Sequence, residues 1–304
     1  MTPVTDRLML LDTASLYFRA FYGVPDKVRA ADGTSVNAVR GLLDMIAKLV
    51  STYEPTQVVA CWDDDWRPAW RVALVPTYKA HRVVEAVASG ADVEETPEAL
   101  TAQIPLIREA LAVIGVPVVG AAEHEADDVI GTLATRADGP VDVVTGDRDL
   151  FQLVDDEKGV RIVYTARGMS NLEIVDDAAI VAKYGIRAAQ YADFAVLRGD
   201  PSDGLPGVSG VGEKSAAALL SAHGDLDGIV AAVAAGTGGT PAQRAKIAAA
   251  ADYLAVAPTV VRVVRDLALP DVALRPVDVE AAERLAERDN LGSSMARAVA
   301  ALTR

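Results

Sequence analysis

Apolar positions fall into two regimes along this chain. In the first part, short apolar runs alternate with stretches of helical spacing. Residues 7–12, Arg-Leu-Met-Leu-Leu-Asp, read as a buried strand ending in a carboxylate. Residues 36–50 repeat at helical period, and residues 57–63, Gln-Val-Val-Ala-Cys-Trp-Asp, form a second strand that again ends in acid. Two such strands around a helix predict a βαβ unit in a mainly parallel sheet. Further on, the pattern predicts a helix near 98–114, a strand at 116–119, a helix over 123–137, a strand at 141–146, a short helix from Leu150 and an edge strand at 160–164. From residue 186 strand runs stop and helices take over, with a glycine-rich hairpin at 205–214, a loop at 236–239, a helix near 241–255, a Val-rich stretch at 259–264 and a terminal helical region at 278–302. The fold class is therefore α/β over residues 1–185, followed by a helical region over 186–304.

Composition narrows the chemistry. Of 304 residues 51% are apolar, enough for a large core. Forty-three acids against 29 Lys plus Arg give a net charge of -14, which argues against a surface coated for non-specific nucleic-acid binding but leaves room for a local basic track. One cysteine, Cys61, and three histidines offer neither an internal disulfide nor a zinc site of the usual kind. Hard, oxygen-ligated ions such as magnesium or manganese suit these residues better. With no evident signal peptide or transmembrane run, a cytoplasmic protein is expected.

Acids recur where strands end. Asp12 follows the first strand, Asp63 the second, Glu125-Ala126-Asp127-Asp128 lies in the acidic helix, Asp147 and Asp149 follow the strand at 141–146, and Asp200 and Asp203 precede the glycine hairpin. In a parallel sheet the strand-end groups converge at one edge. Each has a bland reading: Asp12 as a helix cap, the 125–128 acids as a solvated first turn. Together they would repel one another strongly without cations, and two divalent ions about 4 Å apart would suit phosphoryl displacement. Glu125 and Asp128 are three apart, so a helix through them puts both on one face and makes them the stronger inner ligands; Asp127 points about 100° away and is expected to act through water or from behind. Residues 66–104 mix bases with aromatics, among them Trp66, Arg71, Tyr78, Lys79 and Arg82, which suits phosphates and stacked bases or a surface helix with snorkelling cations. Residues 83–97, with Ser89-Gly90, read as a mobile or clamping segment. Gly207, Gly210 and Gly212 permit a tight hairpin that offers N–H groups to phosphate, with Lys214 behind.

Six stretches in this order resemble the bacterial 5′ nucleases, a family that includes the amino-terminal domain of DNA polymerase I and the phage and eukaryotic flap endonucleases. They are 12–19, Asp-Thr-Ala-Ser-Leu-Tyr-Phe-Arg; 78–82, Tyr-Lys-Ala-His-Arg; 125–129, Glu-Ala-Asp-Asp-Val; 145–150, Thr-Gly-Asp-Arg-Asp-Leu; 199–203, Gly-Asp-Pro-Ser-Asp; and 205–214, Leu-Pro-Gly-Val-Ser-Gly-Val-Gly-Glu-Lys. The resemblance implies a PIN-like core with a helical arch at about 66–104, and a helix-hairpin-helix motif at about 199–222. It implies a free-standing, monomeric, metal-dependent 5′-3′ exonuclease or flap endonuclease, acting on DNA with a free 5′ end, flap, nick or junction, with replication or repair partners. Asp12, Glu125, Asp127 and Asp128 would surround one Mg2+ or Mn2+, Asp147, Asp149, Asp200 and Asp203 a second, and Asp63 would stand close by. Arg19, Arg71, Lys79 and Arg82 would clamp the scissile phosphate, Tyr78 and Phe21 would meet the threaded strand, and the hairpin would hold duplex and bind K+. Gly204 stands where the family often has Asn. The alternative is a catalytically weak DNA-structure-binding protein that retains the fold.

Overall fold

The computed structural model describes residues 6–87 and 92–303. The Ser89-Gly90 part of the anticipated clamping segment lies outside the described residues.

One six-stranded sheet organises the chain. In chain order its strands are β1 (Leu8–Asp12), β2 (Gln57–Cys61), β5 (Val118–Val119), β6 (Val141–Thr145), β7 (Val160–Tyr164) and β8 (Glu173–Val175); β3 (Val83–Glu85) and β4 (Val93–Glu94) form a separate antiparallel hairpin. The spatial order is β5-β2-β1-β6-β7-β8, parallel except for the last pair. The sheet is thus mixed, and 160–164 is not its edge: β8 pairs beyond it through Ile162, Val163 and Tyr164. The helices are α1 (Thr13–Gly23), α2 (Asn37–Tyr53), α3 (Ala69–Leu74), α4 (Glu98–Thr101), α5 (Ile104–Val113), α6 (Ala126–Arg136), α7 (Asp177–Tyr184), α8 (Tyr191–Arg198), α9 (Glu213–His223), α10 (Leu226–Ala234), α11 (Pro241–Ala249), α12 (Ala251–Val261), α13 (Val279–Arg288) and α14 (Gly292–Leu302).

The unbroken apolar run of β1 has a simple cause. Successive side chains of a strand point to opposite faces, and helices cover both. Leu10, Val59, Cys61 and Val143 join the core under α6, whereas Met9, Leu11, Val58, Ala60 and Val144 join the core under α2. Neither core stops at residue 185. The first continues into α8, α9, α10 and α12; the second takes in Leu285, Leu291, Met295 and Ala298 of the last two helices. An extended strap joins these regions. It runs from Arg262 past Gly115, where Arg275 donates to the Gly115 carbonyl at 3.0 Å and Asp278 to that of Val113 at 2.9 Å. The helical region is therefore built onto both faces of the sheet. Among the described residues no single helix is long and apolar enough to cross a membrane.

The segment at 66–104 departs from the expected helical arch. Among its described residues it holds the short α3, a 3-10 turn at Ala80–Arg82, the paired β3 and β4, and α4. Residues 83–85 read Val-Val-Glu and 93–94 Val-Glu, and β-branched valines favour an extended backbone over a helix. Arg67 ties the base of this segment: its Nε donates to the Tyr78 carbonyl at 2.6 Å and its Nη1 pairs with Asp92.

Candidate active site

Acids from five segments meet at the C-terminal edge of the parallel strands. Asp12 ends β1 and caps α1: Oδ1 accepts from the Ser15 N–H at 3.1 Å and Oδ2 from the Thr145 hydroxyl at 2.6 Å. Asp63 follows β2, and its Oδ1 accepts from the Ala126 N–H at 2.8 Å, in the first turn of α6. Asp127 stands on that turn, Asp147 follows β6, and Asp200 follows α8. These five, with Glu94 and Glu125, line an open cleft of about 420 Å³ that also contains Lys79 and Arg82. A larger cavity of about 740 Å³ opens beside β7 and α8 and holds none of the expected site residues.

Burial sets the electrostatics of this cleft. It pushes the Asp12 carboxyl up to about 7, with the Thr145 and Ser15 hydrogen bonds opposing and the Asp63 and Asp147 charges adding. Burial also raises Asp63, Asp127, Asp149 and Asp203, and the charge of Asp147 adds to the last three. Asp149 Oδ1 is out of water and has no partner. Among the described residues no protein group donates to the Asp127 side chain, whereas the Asp149 N–H donates to Asp147 Oδ1 at 2.8 Å. Lys79 answers part of this charge. Burial works against its ammonium, but Glu125, Tyr78 and Asp203 outweigh that and hold its pKa well above the usual lysine value. Arg82 Nη2 donates to the Ser202 carbonyl at 2.6 Å and to Asp203 Oδ1 at 3.0 Å.

Several expected site residues stand elsewhere. Asp128 is fully buried and faces away from the cleft. Arg71 grips it, Nη1 to Oδ2 at 2.8 Å and Nη2 to Oδ1 at 2.7 Å, while the Val264 N–H donates to Oδ1 at 2.8 Å. Its oxygens are thus committed, which corrects the expectation of an inner ligand. Arg71 is itself only 2% exposed; it also donates to Glu125 Oε2 at 2.6 Å and, through Nε, to the Val260 carbonyl at 3.0 Å. A guanidinium so spent cannot clamp a substrate phosphate. Tyr78 is buried too, its hydroxyl donating to Glu125 Oε2 at 2.7 Å, so its ring cannot stack on a threaded strand. Glu125 touches the cleft but is held by Arg71, Tyr78 and Lys79. Asp127, expected to stand back, is instead the acid of this motif that opens to the cleft without a protein donor. Phe21 packs against Tyr22 and α1's neighbours rather than lining the cleft; Phe18, one turn earlier, lines it. Arg19 lies beside Gly146 with its Nε buried and unpartnered.

The glycine-rich stretch forms the turn between α8 and α9. Gly207 and Gly210 take positive φ of 66° and 72°, and Gly212 caps α9. The loop carrying Asp200 is zipped onto it, with Asp200 N–H to Leu205 O at 3.0 Å and Leu205 N–H to Asp200 O at 2.8 Å. Gly204 has a physical reason for standing where the family often has Asn. Its φ is 69°, and a Cβ there would strike the Thr77 carbonyl at the base of the β3–β4 segment. Lys214 is exposed on α9, and Lys246 from α11 lies against Gly210.

Lys246, Glu94, Ser202 and Arg198 were not legible as site residues. Ser202 lay inside the 199–203 motif without being singled out; no motif marked Lys246, Glu94 or Arg198, since each enters from an element whose position depends on tertiary packing. Ser15 and Phe18 did carry a signal: they sit three and six residues beyond Asp12, on a helix that leaves the strand end. Among the described residues no three carboxylate, imidazole or thiolate groups gather tightly enough to enclose one ion. The acids ring the cleft instead, several turned onto Thr145, Ala126, Lys79 or Arg198.

Comparison with known proteins gives the context. A family model described as 5′-3′ exonuclease, N-terminal resolvase-like domain, matches residues 7–185, and one described as 5′-3′ exonuclease, C-terminal SAM fold, matches 186–284. A 5′-3′ exonuclease of Streptomyces coelicolor is 57% identical over 97% of this chain and 100% of its own length. DNA polymerase I of Mycobacterium bovis is 42% identical over 73% of this chain but only 24% of its own length. Among solved structures, T5 5′-exonuclease with divalent zinc ions bound superposes with a TM-score of 0.65 at 16% identity, covering 98% of each chain.

Proposed function

The chain belongs to the 5′-3′ exonuclease family, and from that premise we propose that its acid cleft hydrolyses DNA phosphodiesters at or near a free 5′ end, on flaps, nicks and duplex junctions, leaving a 5′-phosphate and a 3′-hydroxyl. The observation that carries this reading is the meeting of Asp12, Asp63, Asp127, Asp147 and Asp200 in one cleft beside Lys79 and Arg82. We read the sheet as a PIN-like core, and residues 1–185 and 186–304 as catalytic and hairpin-bearing regions; the junction of the two family matches supports that division.

The donor set fits hard divalent ions. It is all oxygen, crowded, partly buried, and contains the unpartnered Asp149 Oδ1. Asp12, Asp63, Asp127 and Asp147 would hold one Mg2+ or Mn2+, and Asp147, Asp149, Asp200 and Asp203 would support a second. Such ions, when bound, polarise phosphoryl oxygens and favour ionisation of water. The chain's own groups do the rest. Lys79, kept charged by Glu125, and Arg82, tethered to Asp203, present cations to the scissile phosphate. Arg19 adds charge beside Gly146, and Phe18 offers an aromatic face to the adjoining base. Gly207, Gly210 and Gly212 present backbone N–H groups to duplex phosphates, with Lys214 and Lys246 as flanking cations, and hairpin carbonyls would take K+. Glu125 orients Lys79; Asp128 and Arg71 anchor the start of α6. The chain acts as a monomer.

The test is digestion of end-labelled flap, nicked, blunt and single-stranded DNA with Mg2+ or Mn2+, product lengths resolved. Cleavage is expected only with a divalent ion, and Lys79→Ala should lower kcat by about 10²-fold. Cleavage that persists in chelator would sink the reading.

A further inference from the structure

Arg198 is the last residue of α8, with its side chain 11% exposed. Its Nη2 donates to Asp200 Oδ2 at 3.0 Å and its Nη1 to Glu213 Oε1 at 3.2 Å. Its Nε is buried and has no acceptor among the described residues. Glu213 opens α9 directly after the glycine hairpin and is 57% exposed. One buried guanidinium therefore spans a cleft carboxylate and an acid on the hairpin. The backbone joins the same two places. Gly199 and Gly207 approach so closely that a Cβ on Gly199 would lie 2.8 Å from the Gly207 nitrogen, and Val208 donates to the Leu197 carbonyl at 2.9 Å. The Asp200 loop and the hairpin are thus tied together by backbone contacts, and the guanidinium is the link between their charges.

We infer that Arg198 is a positioning residue that couples occupancy of the hairpin by DNA to the availability of Asp200 for a cation. This rests on the reading of the cleft and hairpin given above. A carboxylate paired with a guanidinium is a poorer partner for a metal ion, because the two cations compete for one oxygen. A duplex phosphate arriving at the hairpin comes up against Glu213, a like charge. Arg198 Nη1 already points at that spot and is the cation placed to answer. Drawn toward the phosphate, the guanidinium loosens from Asp200 Oδ2, and the freed oxygen turns to the ion. Binding linkage is reciprocal, so the ion tightens DNA by the same factor.

The experiment is calorimetric titration of Mn2+ into the full chain, alone and with a 5′-flap duplex carrying a non-cleavable methylphosphonate at the junction. DNA should raise Mn2+ affinity of the wild type about five-fold or more. In Arg198→Met, affinity without DNA should already be high and the DNA-induced rise should fall below about two-fold. Glu213→Gln, an exposed change that leaves the fold intact, should weaken Mn2+ binding without DNA about two- to five-fold, since the guanidinium is then left to Asp200 alone. A wild-type-sized DNA effect in both variants overturns the coupling, and so does its absence in the wild type. Asp127→Asn and Asp149→Asn separate the two levels. If they leave Mn2+ binding unchanged, the cleft reading fails and the coupling with it; if they remove it while Arg198→Met keeps the full DNA effect, only the coupling fails.

Discussion

Arg71→Met tests the least expected part of the site. The guanidinium is the hub between α3, the start of α6 and the end of α12, making four hydrogen bonds of 2.6 to 3.0 Å. Methionine keeps much of the volume and removes the charge. Glu125 would retain Tyr78 and Lys79, but Asp128 would be left fully buried with only the N–H groups of Val264 and Glu125, at 2.8 and 3.3 Å. Removing one partner of a buried ion pair costs about 3–5 kcal/mol. A chain of ordinary stability has roughly 5–15 kcal/mol to lose. Urea unfolding at pH 7, followed by circular dichroism, should show a lower midpoint by that energy. Adding Asp128→Asn to Arg71→Met should recover about half or more, because the uncompensated charge goes while the amide keeps an acceptor. If Arg71→Met cost less than about 1 kcal/mol, or if the second change deepened the loss, the cluster would not be the anchor described here.

Three further outcomes are expected. Asp127→Asn should cut cleavage about 10²-fold or more yet raise the chelated protein's Tm by a few degrees, since burial opposes ionisation there, whereas Asp128→Asn should lower Tm and keep Mn2+ binding; calorimetry and scanning fluorimetry decide, and the reverse pattern refutes the assignment. Because burial holds the folded Asp12 pKa at about 7 against 3.8 when unfolded, the folded state binds more protons across that window, so stability in chelator should fall as pH rises from about 4 to about 7, by at most about 4 kcal/mol, and the Tm gain from Mg2+ should grow over the same range; a flat profile would count against it. Gly207→Ala should cost about 1–3 kcal/mol and weaken duplex binding in a gel-shift assay, since the position has φ 66° and a Cβ would meet the Gly199 nitrogen; unchanged binding and stability would show the hairpin to be slack.

Much of this was legible because it rested on local rules. Buried strands ending in acid gave away β1, β2 and β6, and their parallel register follows from the helices between them. Where the expectation failed, a specific local assumption failed. Ranking Glu125 with Asp128 assumed a helix already running at 125. The helix begins at Ala126, and Glu125 has an extended backbone with ψ 163°, so the two acids do not share a face in the assumed sense. That shift turns Asp127 to the cleft and Asp128 into the core. The bases of 66–104 looked alike in sequence, yet Arg71 is interior and Arg82 is at the cleft. Only packing of α3 against α12 separates them.

The distribution of cations explains how one acidic chain makes one reactive place. Arg71 is spent on Asp128, Lys79 on Glu125, Arg82 on Asp203 and Arg198 on Asp200. Deep in the fold, Arg7 and Arg161 neutralise Asp142 in the same way. Among the described residues, Asp12, Asp63, Asp127, Asp147 and Asp149 receive no such partner; they have hydroxyl or backbone donors, or none. Matched pairs cost little where they stand, because each charge is answered. Four of these acids, Asp12, Asp63, Asp127 and Asp147, line one cleft, so their repulsion is concentrated rather than spread over a surface carrying a net charge of -14. That repulsion is what the proposed divalent ions would relieve, and without them the cleft would repel a phosphate backbone. Each cation therefore shapes the proposed site twice, by silencing one acid and by leaving the remainder unmatched.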